Sequence, residues 1–234
     1  MQLPLSLKIR TDASFENYYP GDNQLVYQKL IQCFEEKKSG GSIYIWGEKS
    51  VGKTHLLQAT CLLAGEKELT SAYVPLSDFK SFNVQILDGL ETMRFVCVDD
   101  VDAIHGLEEW EEGLFNLYNR ALETGNQLIF AASKNISQSS IKLADLQSRF
   151  SWGFVYALKS LCDEDKKIVL QERARSLGLE LNDNVIHYLL NRFPRNLTTL
   201  FSIIDDLDKA SLITQRKITI PLIKQWVDVS YSSE

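Results

Sequence analysis

Long apolar runs are missing from this 234-residue sequence. No stretch approaches the ~18 consecutive apolar residues that read as a membrane-spanning helix, and no membrane partner is expected. Met1–Arg10 is too short and too mixed for a secretory signal. Basic charge is also in short supply. The 25 lysines and arginines are outnumbered by 31 aspartates and glutamates, for a net charge of −6. A protein whose main task is gripping a nucleic-acid backbone favours a basic surface, so that class is disfavoured, with a local basic patch left open. Cysteine is sparse and unpatterned. Cys33, Cys61, Cys97 and Cys162 lack metal-ligand spacing and read as reduced thiols of a cytoplasmic protein, one of which could be reactive. Internal repeats and low-complexity tracts are absent too.

What is present begins at Ile43-Tyr44-Ile45-Trp46, a short apolar strand running into Gly47-Glu48-Lys49-Ser50-Val51-Gly52-Lys53-Thr54. A helical pattern starts at once with His55-Leu56-Leu57. Strand, G-x-x-x-x-G-K-T and helix together are the context that a phosphate-binding P-loop requires, whereas the bare spacing would also suit an inert turn. Gly47 and Gly52 allow a tight backbone whose N–H groups, those of Ser50 and Val51 among them, can surround a phosphate. The positive end of the following helix dipole, at Thr54 and His55, adds to the attraction. Lys53 is placed to reach the terminal phosphates of a bound ADP or ATP, and the Thr54 hydroxyl to ligate Mg²⁺.

Strand patterns at Ser42–Trp46, Ala72–Pro75, Phe95–Asp99, Leu128–Ala132 and Phe154–Leu158 alternate with helical ones at Leu25–Lys37, Lys53–Ala64, Glu109–Glu123 and Ile141–Gln147. That alternation predicts a parallel sheet with helices on both faces, binding ligands at the carboxyl ends of its strands. After Leu161 the pattern becomes helical throughout. Asp163 is expected to cap a helix ending near Leu177-Gly178, and Asn182 to cap a second. Leu197, Leu200, Phe201, Ile204 and Leu207 mark a third, and Thr219-Ile220-Pro221 begins a short fourth. The expected organisation is therefore an N-terminal peptide over 1–9, an α/β nucleotide domain over 10–160, a helical lobe over 161–228, and a frayed tail.

Three further segments carry chemistry. Phe95-Val96-Cys97-Val98 ends in Asp99 and Asp100. Beside a P-loop, Asp99 would hold Mg²⁺ directly or through water and Asp100 would polarise an attacking water. Asp102, just beyond, reads as the cap of a short turn. Leu128-Ile129-Phe130-Ala131-Ala132 leads to Ser133, which either reports on a terminal phosphate or simply leaves the core. Arg149, within Ser148-Arg149-Phe150-Ser151-Trp152-Gly153, is by spacing alone a surface arginine with its stem on Trp152.

These segments resemble those of the AAA+ ATPases, and within them the DnaA group. Gly52-Lys53-Thr54-His55-Leu56-Leu57 is similar to the group's Walker A motif, Val98-Asp99-Asp100 to its Walker B, and Ser148–Gly153 to its arginine-finger segment. Phe15-Glu16-Asn17-Tyr18-Tyr19-Pro20-Gly21-Asp22-Asn23 resembles the stretch that packs near the base, which makes Tyr19 a candidate base contact. The likeness spans about residues 10 to 228. It implies an AAA+ P-loop core with a five-stranded parallel sheet and a small C-terminal α-helical lid. Phe115–Arg120 and Gln215–Pro221 further resemble a regulatory branch of the group, in which the core stands without a helix-turn-helix DNA-binding domain.

From the resemblance follow the expected roles. Arg149 would act in trans on the ATP of DnaA, and such fingers contribute about 10³–10⁵ in rate. Gln2-Leu3-Pro4-Leu5 resembles the extended peptide by which replication proteins dock on the DNA polymerase III sliding clamp, so DNA would be met only indirectly, near the nucleoid. Homo-oligomers are possible. The lobe's sensor arginine aligns with Thr198, and whether Arg195, a turn earlier, reaches the phosphates is open. Loss of that arginine suits a regulator with ADP as a structural ligand. The alternative is an autonomous AAA+ ATPase, such as a helicase loader or a DnaA-like assembly factor. A small-molecule kinase would need an Arg-rich lid that the sequence after Asp163 does not offer.

Overall fold

The computed structural model describes residues 13–35, 40–214 and 218–231. Five strands, β1 (Gly41–Trp46), β2 (Ser71–Pro75), β3 (Phe95–Asp99), β4 (Gln127–Ala132) and β5 (Phe154–Ala157), form one sheet in the order β2-β3-β4-β1-β5. All the pairings are parallel. Each strand lies within one residue of its expected bounds. β3 and β4 are buried along their whole length, which is why they read as unbroken apolar runs and not as an alternation.

The alternation is present, but both faces are covered. Tyr44, Val96, Val98, Leu128 and Phe130 pack under α3 (Glu108–Thr124) and α4 (Ala144–Trp152). Ile43, Ile45, Phe95, Cys97, Ile129 and Ala131 pack under α1 (Gln24–Gln32) and α2 (Lys53–Glu66). Successive residues of a strand point to opposite faces, so the sheet is the shared wall of two cores. The edges differ from the centre. Phe154 and Val155 on β5 are exposed.

Register brings the functional strand ends together. Trp46 pairs with Ala132, and Pro75 pairs with Asp99. The loop after β1 thus opens beside the tip of β4, with the β3 carboxylates one strand further along.

Two helices depart from expectation. α1 ends at Gln32 because Phe34 and Glu35 turn their amides to Ile31 and Gln32, at 3.0 Å each. α4 begins at Ala144, not Ile141, because the Lys142 and Leu143 amides bond to the buried Glu111 carboxylate at 3.0 and 2.8 Å. It then continues through Arg149 to Trp152.

Contacts divide the chain between Lys159 and Ser160. The second unit comprises α5 (Asp163–Ser176), α6 (Asp183–Arg192), α7 (Leu197–Thr214) and α8 (Ile220–Tyr231). Cys162, not Asp163, stands at the first cap, its sulfur accepting the Asp165 N–H at 3.4 Å. Asn182 caps α6 through the Val185 N–H at 3.0 Å, and Gly178 follows α5 with φ +75°. The last helix has 12 residues, longer than the short one the sequence suggested. Leu170, Leu189, Leu200, Ile204, Leu207 and Ile223 centre the lobe's own core. Arg173 ties α5 to α7 with a two-pronged bond to Asp205, at 2.9 and 3.1 Å from Nη2. Among the described residues no helix is long and apolar enough to cross a membrane.

Candidate nucleotide site and arginine face

The P-loop leaves β1 at Gly47, whose N–H donates to the Ala132 carbonyl at 3.2 Å. Its backbone is confined on both sides. A Cβ on Gly47 would lie 2.7 Å from the Leu158 carbonyl oxygen, and one on Gly52 2.9 Å from the Tyr18 ring. Gly52 also takes φ +100°, and Ser50 takes φ +66°, a region that side chains rarely adopt. This is the tight, strained loop that an anion cradle needs. Val51 packs on the apolar core beside α2.

α2 starts at Lys53. The lysine is buried, and its ammonium donates to the Gly47 and Glu48 carbonyls at 2.7 and 2.8 Å. Burial pulls its pKa down, while Asp99, Asp100 and Asp102 act in the opposite sense. Thr54 directs its hydroxyl to the Asp99 carboxylate at 2.6 Å. Asp99 is buried and also takes the Tyr73 hydroxyl at 2.9 Å and the Asp100 N–H at 3.0 Å. Hydroxyl and carboxylate are the hard oxygen donors that Mg²⁺ takes alongside phosphate oxygens. The donor set therefore fits a nucleotide with Mg²⁺, with Thr54 and Asp99 as the residues able to hold the metal.

Asp100 turns the chain through a left-handed conformation, φ 53° and ψ 45°, and is the N-cap residue of the turn Val101–Ile104. Asp102, expected in that role, sits inside the turn and accepts the Ser133 N–H instead. The tips of β3 and β4 are thereby joined, and Ser133 is engaged through its backbone. Asp100 is half-buried. Burial first and the Asp99 charge second raise its pKa, against the opposing Lys53.

Tyr19 lies half-buried in the segment before α1. Its neighbour Tyr18 is the residue against the P-loop, stacked on Tyr27 at 6.1 Å and tilted over His55 at 5.4 Å. His55 meets the Ser14 carbonyl at 2.8 Å, so the N-terminal segment is fastened to the first turn of α2. Tyr73 escaped the sequence reading because nothing local marks it, and Tyr18 was read only as part of the segment near the base, with Tyr19 as the contact. Only the packing of one segment and the pairing of β2 with β3 bring them to the site.

Arg149 rides on the last turn of α4. Its guanidinium lies 4.9 Å from the Trp152 ring and 6.0 Å from those of Phe115 and Tyr118. Trp152 is 73% exposed. Among the described residues Arg149 has no carboxylate partner. In the lobe, Arg195 is held by Asp163 at 2.9 Å, by the Leu190 carbonyl at 3.1 Å and by Asn191 at 3.3 Å. Thr198 is exposed near the start of α7. Gln2, Leu3, Pro4 and Leu5 lie outside the described residues.

A P-loop after the first strand, acidic residues at the tip of β3, the strand order 2-3-4-1-5 and a C-terminal helical lobe define an AAA+ protein. The chain belongs to the family of the bacterial DnaA ATPase domain, whose model matches residues 9–157. Residues 163–227 match the lid domain of Hda, so the whole is a Hda-like homologue of DnaA.

Solved structures agree in fold. Domain III of the Thermotoga maritima replication initiation protein DnaA aligns with a TM-score of 0.80 at 21% identity, over 92% of this chain and 95% of that one. AMPPCP-bound DnaA from Aquifex aeolicus gives 0.75 at 25% identity, over 87% and 67%. A replication initiator DnaA bound to AMPPCP and single-stranded DNA gives 0.74 at 24% identity, over 85% of this chain and 65% of that one. This chain thus spans about two thirds of the length of that last relative.

Proposed function

We propose that the chain is a nucleotide-binding regulator of replication initiation that stimulates hydrolysis of the ATP held by DnaA. The observation that carries this reading is Arg149, a guanidinium on an aromatic shelf beside an exposed tryptophan, with no carboxylate partner among the described residues. An arginine so placed keeps its charge for an external anion. Set against a partner's phosphates, it would stabilise the charge that develops in the transition state.

The P-loop would serve the chain itself. Gly47, Ser50, Val51 and Gly52 would surround the phosphates of ADP or ATP, with Lys53 balancing their charge. Tyr19 would lie near the base end, with His55, in the first turn of α2, and Ser133 toward the phosphates. When bound between Thr54 and Asp99, Mg²⁺ supplies positive charge to the phosphate oxygens. ADP in that role would order the core and not be turned over, in keeping with Thr198 at the sensor-arginine position. Gln2–Leu5 would tether the protein to the DNA polymerase III sliding clamp on DNA, which would hold a cytoplasmic protein at the nucleoid.

One observation favours a second reading, an autonomous AAA+ ATPase. Asp100 is half-buried next to Asp99 with a raised pKa, as a group that handles the proton of an attacking water would be.

The test follows ATP prebound to DnaA, with this chain added in the presence and absence of DNA-loaded clamp, and with this chain alone as control. Acceleration that needs both this chain and the clamp is the expected result. Steady hydrolysis by the chain alone, without acceleration on DnaA, would favour the second reading.

A further inference from the structure

Glu111 is a carboxylate with a residue exposure of 1%, on the helix α3 that also supplies the shelf under Arg149. Among the described residues its hydrogen-bond donors are all backbone amides. Oε1 accepts the Gly106 N–H at 2.6 Å, and Oε2 accepts those of Lys142 and Leu143 at 3.0 and 2.8 Å. Buried charge is tolerated where hydrogen bonds satisfy it, and bonds to an ionised acceptor are the stronger kind. Those three amides belong to two separate loops. Gly106 stands six residues beyond Asp100, in the stretch that follows the β3 tip. Lys142 and Leu143 immediately precede α4, and Leu143 is its N-cap residue.

The same helix holds the other end of α4. Glu111, Phe115 and Tyr118 fall at i, i+4 and i+7, a single face of α3. The first fastens the chain entering α4, and the other two lie under the guanidinium that its last turn carries. The Tyr118 hydroxyl is itself fixed, 3.0 Å from Ser42 on β1.

We infer that Glu111 is the positioning residue for Arg149, a buried carboxylate that sets where α4 begins and braces the arginine against the turn following Asp99 and Asp100. This rests on the function proposed above and adds a specific determinant to it. Glu111 touches no phosphate. It acts by fixing the start of α4, so that the arginine further along the same short helix is held for a partner and does not drift with the loop.

Glu111→Gln keeps the shape and removes the charge. Lys142→Pro deletes one donor and leaves Glu111 in place. Each variant would be compared with wild type in two assays. Hydrogen exchange of the isolated chain should rise about tenfold or more over residues 140–152 and stay unchanged in α2 and β1. Stimulated hydrolysis on DnaA should fall tenfold or more at saturating regulator, with the half-saturating concentration and nucleotide affinity within twofold of wild type. In an Arg149→Lys background, Glu111→Gln should cost nothing further, because the two residues act as one unit.

Exchange that rises everywhere, or a loss confined to nucleotide affinity, would reduce Glu111 to a general stabiliser and overturn the inference, as would unchanged exchange over 140–152. If wild type itself gives no stimulation, the proposed function fails, and the positioning inference fails with it as far as catalysis is concerned. Local exchange then still decides whether Glu111 sets α4.

Discussion

The Thr54 hydroxyl and the Asp99 carboxylate meet at 2.6 Å, joining the first turn of α2 to the tip of β3. These residues are 45 positions apart in the chain. Their contact exists because β1 and β3 are parallel and lie in one sheet with only β4 between them, so that both strands present their carboxyl ends to the same side.

If that pair holds Mg²⁺, Thr54→Ala should abolish the part of nucleotide affinity that depends on the metal. Titration of a fluorescent ADP analogue, with Mg²⁺ and with EDTA, should show a gain from Mg²⁺ in wild type and none in the variant. Equal gains in both would remove Thr54 from the metal site.

Tyr73 donates to the same buried carboxylate at 2.9 Å. Its own pKa is raised by burial and by the Asp99 charge, so it remains a donor throughout the working range. Tyr73→Phe keeps the ring and deletes the bond. A hydrogen bond to a charged group contributes roughly 1.5–3 kcal/mol, so urea unfolding should show a loss of about that size. A loss under ~0.5 kcal/mol would mean that Asp99 finds another donor.

The strands and the P-loop were legible because their signals are local. Five apolar runs, most of them separated by helical periods, allow little besides a wound parallel sheet, and G-x-x-x-x-G-K-T between strand and helix names its own chemistry. Boundaries failed where a distant group overrode a local pattern. Ile141–Leu143 look helical, yet Glu111 takes the amides of Lys142 and Leu143 from 31 and 32 residues away. Asp102 looks like a cap, yet it reaches across to Ser133. Tyr73 gave no signal and Tyr18 only a regional one, since their roles come from strand pairing and segment packing. Arg149 was legible only through family resemblance, because spacing alone cannot separate an arginine that packs on a tryptophan from one that also serves a partner.

Asp100 yields a prediction with a sign. Its carboxyl ordinarily titrates near 3.8, and burial together with Asp99 raises that value in the folded chain. A carboxyl with a raised folded pKa favours folding fully below its unfolded value and loses that favour as pH climbs through the folded value. At neutral pH its charge is therefore a cost. Asp100→Asn removes the charge and suits the left-handed backbone there, which asparagine tolerates well. The Tm difference, variant minus wild type, should be larger at pH 7 than at pH 3.5. A difference that does not change with pH would contradict the raised pKa. The same variant should leave stimulation of DnaA intact if Arg149 alone serves that reaction, whereas the autonomous-ATPase reading predicts loss of turnover.

The central claim rests on one guanidinium, and replacing it tests that claim most directly. Arg149→Ala and wild type would each be added, with DNA-loaded clamp, to DnaA carrying prebound ATP, after confirming equal affinity for nucleotide and clamp. The account predicts that the variant loses at least about a hundredfold of the stimulated rate while binding both ligands as wild type does. Stimulation that survives the substitution would contradict it.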